Sequence, residues 1–463
     1  MVELAIILTV LIPIVLALAW PRALILVVLL TGTLPLTLGR EGMMVTAFGR
    51  LDLYAIRLLG LWVAALLIIV PQAWQAGLYA FRFRWHLLFL MFAMVALLWA
   101  PSLVYGARMI AKLTAPFLFL LLVLLICQSW SSLRQLEAMI LASGVLAVVV
   151  SLASVVIGHT TLSAQLGLGV PGLGPAATSA NLAMISMLAL GLARTTYRRS
   201  AFLLFGIFAA ASFAGFTRMT IIALFVALTA ILWVAFKGWS RWVLPLAGAV
   251  SLPALFLLSD TFRQRMFKDG AVISLDLITK DPASALEHIH GSGRFDAWAY
   301  VLTNFFWPSP VFGSGVGTTQ HYFYTHATGL NVIHSEYIRV LAELGVFGAL
   351  LLAVAAGAYM IRMVNQYRAS TTQEGQAYAL AALGSLVVYF LFMATDNAID
   401  YVTSCGVFVF GIVAMSEKAR ELELQDSGVL AVESEGAELV DSRETGFSIE
   451  PEAARRFPLV SSK

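Results

Sequence analysis

HYFYTHATGLNVIHSEYIRVLAELGVFG, residues His321 to Gly348, carries three of the chain's seven histidines and two acidic residues, and it runs directly into an apolar helix. Upstream the chain is almost entirely apolar. The polar half of this stretch therefore sits where water meets lipid, and the rest of the chain reads as the scaffold that holds that boundary.

The chain has 463 residues, of which 60% are hydrophobic and 12% charged. With a mean hydropathy of +0.88 this excludes an ordinary soluble protein, whose charged fraction is about twice as large. Lipid offers the backbone no hydrogen-bond partners, so spans must be helices or a closed barrel. Apolar runs of about 20 residues without alternation select helices, and the fold class is all-α, a polytopic transmembrane helix bundle. Cys127 and Cys405 lie inside apolar runs without metal-like spacing and read as packing residues. The run Leu4 to Trp20 lacks a basic lead-in and is followed by Pro21-Arg22, so it reads as a retained span rather than a signal peptide. The net charge of +3 is uneven: from Glu417 onward eleven acidic residues face six basic ones, a net of −5, which leaves +8 on the membrane part.

Apolar runs are centred near residues 12, 30, 62, 93, 119, 147, 187, 208, 228, 250, 350, 386 and 407. They predict about 12–13 spans, the lower number applying if the first two form a hairpin or re-entrant pair. Threaded alternately, Arg82 and Arg84, Arg134, Arg194 with Arg198 and Arg199, Lys237 and Arg241, and Arg362 and Arg368 fall on one side, which the positive-inside rule makes cytoplasmic. The uncharged loop from Gly158 to Ser179 falls on the other side. Four regions follow: an N-terminal transmembrane bundle over 1–258, a periplasmic loop over 259–336 carrying short helices, C-terminal transmembrane helices over 337–416, and a disordered acidic cytoplasmic tail over 417–463. The loop's many aromatics, Trp298, Tyr300, Phe305, Tyr322 and Tyr324 among them, argue for a folded segment at the headgroup level.

Within the outer segments several residues bear on chemistry. Arg294 opens a short helix after Gly291-Ser292-Gly293 and offers a planar fork of donors suited to phosphate, against a plain loop and helix start. The glycines of Gly313-Ser314-Gly315-Val316-Gly317 permit either a turn or a close backbone approach to another surface. Arg218, in Thr217-Arg218-Met219-Thr220, lies next to hydrocarbon, and headgroup snorkelling and an anion site both account for it. Glu336, Arg339 and Glu343 share one helix face and can pair among themselves, a supporting role. His334 precedes Glu343 by nine residues, about 900° of helix and so half a turn out of phase, which leaves it free to act on a substrate. His321 and His326 read as loop residues without an assigned use, and Gly345 and Gly348 as points where the helix nears a neighbour. Asp396, Asn397 and Asp400 read as a solvated cluster at a span end, and Arg57 and Lys112 as snorkelling charges.

The succession of Gly-Arg with Trp298 four residues after Arg294, the Pro-rich Gly-X-Gly-X-Gly turn, and His-Ser-Glu-Tyr-Ile-Arg-Val-Leu-Ala-Glu-Leu-Gly-Val-Phe-Gly at 334–348 resembles the O-antigen ligase and polymerase family of bacterial envelopes. The likeness runs from about Thr217 to Met415. It implies glycan transfer from undecaprenyl-diphosphate carriers on the periplasmic face of the inner membrane, without metal or nucleotide sugar and therefore with no cofactor. Carried over residue by residue, it makes His334 catalytic and gives Arg218 and Arg294 to the substrate diphosphate. Two departures stand out: Ser335 where the family often has asparagine, which touches acceptor positioning, and Met219 where it often has a small residue.

The resemblance and the residues together imply a metal-independent transfer in which the His334 imidazole takes the acceptor proton while the arginines hold the leaving diphosphate. The expected activity is polymerisation of exopolysaccharide or O-antigen repeats, with ligation to lipid A core or protein as the alternative and a multi-spanning solute transporter as the rival of another class. Expected partners are the lipid-linked glycan, membrane lipid, a flippase and chain-length regulators, and no nucleic acid.

Overall fold

In a computed structural model of the chain, residues 2–33, 44–46, 49–51, 53–156, 174–195, 198–215, 217–242, 245–248, 294–326 and 333–428 are described. The fold is all-α, apart from a short antiparallel pair of strands, Met44–Thr46 with Gly49–Leu51. Every predicted apolar run that falls on described residues forms a helix. These are α1 (Val2–Ala19), α2 (Pro21–Thr33), α3 (Leu53–Ile69) with its continuation α4 (Ala73–Arg82), α5 (Arg84–Val95), α6 (Leu103–Ile126), α7 (Trp130–Val156), α8 (Gly174–Leu192), α9 (Arg198–Ala214) and α10 (Arg218–Ala235). Of the run near 250 only residues 245–248, which are helical, are described. The outer segment contributes two short helices, α11 (Arg294–Val301) and α12 (Thr318–Thr325), and the chain continues through α13 (Glu336–Ala369), α14 (Gln373–Phe392) and α15 (Val407–Asp426).

Among the described residues seven helices are long and apolar enough to cross a membrane, and four more are apolar but shorter. The centre of the bundle is α14 with α15: α14 packs on α8, α10, α13 and α15, and the span containing α15 is buried throughout. Packing against protein on all sides explains why these helices are apolar all round rather than on one stripe. Hydroxyls in the interior turn to backbone oxygens, as Ser385 Oγ donates to the Met184 carbonyl at 3.0 Å and Ser212 Oγ to that of Ser179 at 2.8 Å. Cys127 and Cys405 are buried free thiols, in line with a packing role.

The basic residues that set the threading gather at one end. Arg82 pairs with Glu421 at 3.2 Å, Arg134 with Glu374 at 2.8 Å and Arg362 with Glu417, while Arg194 donates to the Tyr367 hydroxyl at 3.1 Å. Lys418 is fully buried there, its Nζ bonded to Gln128 and Glu421 at 2.8 Å each and to Tyr79 at 3.2 Å. Helix α15 thus continues through Glu417 to Asp426, and the expected start of the acidic tail falls inside a buried helix. Charge made this stretch read as tail, whereas Glu417, Lys418 and Glu421 each have a partner on another helix. Residues 429–463 lie outside the described residues.

Candidate functional site at the opposite end of the bundle

The far end of the bundle is organised around a break in α13. Gly345 adopts φ 68° and ψ −171°, which interrupts the helix, and the strap 310–317 docks into the break. Val346 and Phe347 donate their N–H groups to the carbonyls of Pro310 and Val311 at 2.8 and 3.1 Å. Ser314 and Gly315 return N–H bonds to Ala342 and Glu343 at 2.9 and 3.0 Å. Gly313, Gly315 and Gly317 have φ of 74°, 100° and 80°, a region that side chains disfavour. A Cβ on Gly313 would stand 2.3 Å from the Glu343 backbone, and one on Gly317 2.6 Å from Gly106 N. The glycine run is therefore both the turn and the close approach that the sequence left open, and the surface it meets is the protein's own: α13 on one side, the start of α6 on the other.

Glu343 locks this strap. Its carboxylate accepts from Gly317 N at 2.7 Å, from Thr319 N at 3.2 Å and from the Thr319 hydroxyl. It supports its site through the start of α12, and the carboxylate that pairs with Arg339 on α13 is Glu336, at 3.1 Å. Arg339 also reaches Asp400 at 2.9 Å, and Asp400 takes Lys112 at 2.7 Å. Ile399 N donates to the other Glu336 oxygen at 3.1 Å. The expectation that Lys112 snorkels is overturned: it crosses to a carboxylate on the α14–α15 connection. Burial alone would raise the Asp400 carboxyl, but Arg339 and Lys112 beside it hold it well below the usual carboxylate range. The side chain of Arg57 lies outside the described residues.

The solvated reading of Asp396 and Asn397 is also corrected, since they are only 4% and 3% exposed. Both serve His334. The His334 N–H donates to Asn397 Oδ1 at 3.0 Å, and its Nδ1 stands 3.9 Å from Asp396 Oδ1. Asp396 Oδ1 is held by Asn397 N at 2.8 Å and by the Tyr401 hydroxyl at 3.3 Å. His334 has φ 53°, the left-handed region, a conformation that costs roughly 1 kcal/mol or more and that the Asn397 bond pins in place. Its side chain is 35% exposed, open to an incoming group. Ser335, next in the chain, caps α13 by accepting from Ile338 N at 3.4 Å. Serine and asparagine are comparable N-caps, so the departure at this position keeps the helix start.

Arg294 begins α11, and one turn later Trp298 Nε1 donates to the Ile333 carbonyl at 2.8 Å, which ties α11 to the residue preceding His334. Arg294 Nε is buried without a partner among the described residues. Arg218 begins α10, with Thr217 at the N-cap position. It lies at the same end as His334: α9 ends beside Ser179 at the start of α8, and α8 runs antiparallel to α14, whose far end leads to Asp396. The structure thus brings His334, Arg294 and Trp298 into one tied unit and places Arg218 at the same level. Gly291–Gly293 lie outside the described residues. Sequence reading singled out Asp396, Asn397 and Lys112 but missed their partners, His334 and Asp400; the signal for the cluster was a pair of carboxylates at i and i+4 directly after an apolar span.

The fold is that of a polytopic membrane protein, with a histidine, two arginines and a paired carboxylate at one end of its helical bundle. Residues 185–353 match the family model described as O-antigen ligase, and over this region the chain is O-antigen ligase-like. The match spans α8 to the middle of α13 and contains Arg218, Arg294, His334 and Glu343, while Lys112, Asp396 and Asp400 lie outside it. No curated protein matches the chain. The match supports a membrane glycan function of the ligase or polymerase type.

Proposed function

We propose that the chain is an inner-membrane glycan polymerase that joins oligosaccharide repeats carried on undecaprenyl diphosphate at the periplasmic face. The observation that carries this reading is His334: half-open, its backbone pinned by Asn397, its ring facing Asp396, and sharing an end of the bundle with two arginines. In the reaction, the acceptor sugar hydroxyl gives its proton to the exposed ring nitrogen of His334 as its oxygen attacks the anomeric carbon of the donor. The bond from that carbon to the diphosphate oxygen breaks with inversion. The electron pair leaves on the diphosphate, whose charge Arg218 and Arg294 hold, and the proton passes from His334 to water. Asp396 faces the imidazole ring and stabilises it while it carries the proton.

The gathering of Arg82, Arg134, Arg194 and Arg362 at the opposite end supports a cytoplasmic placement for that end and for α15. Polymerisation is favoured over ligation because a lipid-linked repeat then serves as both donor and acceptor at one glycan-handling surface.

The test is purified protein in lipid with a lipid-diphosphate-linked oligosaccharide, following carrier release and product length. Wild type is expected to lengthen the glycan. His334→Ala is expected to lose essentially all turnover, and Arg294→Lys on the order of 10²-fold, because an ammonium does not reproduce the guanidinium fork. Normal glycan length from His334→Ala at wild-type protein level overturns the reading.

A further inference from the structure

Beside the His334 unit, α12 presents an aromatic band that the transfer chemistry leaves unused. On one side Tyr322 and His326 stack at 4.2 Å with rings 13° apart, and the Tyr322 and Tyr300 hydroxyls hydrogen bond. Tyr322 and Trp298 both pack against the small cluster that contains Ile333, the residue before His334. On the other side Tyr324 and Tyr105 lie nearly parallel, 15° apart with centroids at 6.0 Å, and His321 sits 5.3 Å from Tyr105. The Arg108 guanidinium covers Tyr105 at 5.5 Å, and Gly317 presses on the backbone of Tyr105 and Gly106. These contacts fix the platform in place.

Tyr324 is 56% exposed and His326 is exposed as well. Exposed flat rings alone would suit a headgroup belt. Here they come with hydrogen-bonding side chains beside them, the Thr325 hydroxyl and the His326 imidazole, both exposed. Apolar faces edged by hydrogen-bonding atoms match a pyranose, which has a C–H face and a rim of hydroxyls, better than they match an acyl chain.

We infer that Tyr322–His326 and Tyr324–Tyr105 form a glycan track that holds sugar units flanking the one that reacts at His334, with Thr325 and His326 bonding their hydroxyls. The inference rests on the proposed glycan transfer and adds to it the site that senses chain length. It also assigns a role in substrate choice to Tyr105 and Arg108, which lie outside the region matched to the family.

The experiment measures transfer and binding by the full chain with a ladder of one- to four-unit oligosaccharides cut from the surface polysaccharide of the cell that makes it. For Tyr324→Ala the KM of the four-unit acceptor is expected to rise about three- to tenfold, the value of one aromatic platform, with a smaller rise for the one-unit acceptor and kcat within about twofold. Tyr324→Phe keeps the ring and restores the wild-type KM. Trp74→Ala, an exposed aromatic toward the opposite end of the bundle, serves as the control. A length-independent KM in Tyr324→Ala, with wild type still transferring glycan, overturns the track alone. Failure of wild type to bind or transfer any member of the ladder overturns the track together with the function beneath it.

Discussion

His334 and Asp396, 62 positions apart in the chain, face one another across 3.9 Å between imidazole Nδ1 and carboxylate Oδ1, and the residue after Asp396 pins the histidine's backbone. The carboxylate sits just beyond hydrogen-bond length of the ring, and in the proposed mechanism its role is to stabilise the imidazole while that carries the acceptor proton. Asp396→Asn removes that charge and keeps the shape, so kcat is expected to fall on the order of 10²-fold with KM near wild type. Steady-state kinetics on the purified protein check this, and an unchanged kcat removes Asp396 from the mechanism.

Asn397→Ala frees the His334 N–H and lets its φ of 53° relax. Turnover is expected to drop about tenfold while thermal stability shifts little, since releasing the left-handed backbone offsets part of the lost hydrogen bond. Loss of stability with kcat intact makes Asn397 a packing residue only.

The strap is the sensitive point for folding. Glu343→Ala leaves the N–H groups of Gly317 and Thr319 buried without an acceptor, at about 2–5 kcal/mol for the pair, and Glu343→Gln recovers part because its amide oxygen still accepts. Gly313→Ala is expected to be at least as damaging, since it forces a Cβ to 2.3 Å from the Glu343 backbone at a φ of 74°. Melting temperature in detergent, with expression level, gives the order.

Asp400 gives a signed pH dependence. Its folded-state pKa is depressed below the usual 3.8, so its stabilisation is full above that value and is lost as pH falls from it through the folded-state pKa. The melting-temperature gap between wild type and Asp400→Asn is expected to shrink as the pH falls below about 4. A gap that does not shrink as the pH falls below about 4 contradicts the pairing with Arg339 and Lys112.

Much of the bundle was legible because a membrane helix advertises itself locally: each run of apolar residues needs only its own backbone to satisfy its hydrogen bonds. The ends of α14 and α15 were harder. Lys112 and Asp400 are 288 positions apart, and nothing in either neighbourhood announces the other, so the charge on α6 read as snorkelling. Glu417, Lys418 and Glu423 read as tail for the same reason, since a paired buried charge and a solvated one look alike in sequence. The glycines at 313, 315 and 317 signalled a special backbone but not what it meets. His334, Arg218 and Arg294 stood out as polar residues at span ends, and the resemblance gave them their expected roles. The carboxylate opposite His334 belongs to another segment and took the fold to reveal.

Truncation separates the two halves of the C-terminal region. Ending the chain after Gly428 is expected to leave the melting temperature within a few degrees of wild type, while ending it after Ser416 removes the partners of Arg82, Arg362 and Ser370 and is expected to abolish accumulation in the membrane.

That dependence reaches into biogenesis. Helix α15 leaves the ribosome after α4 and α13, yet it supplies the acidic groups that neutralise their arginines. Those charges must wait, without their partners at that end of the bundle, until α15 arrives. Closure of the bundle therefore trails the insertion of its earlier helices.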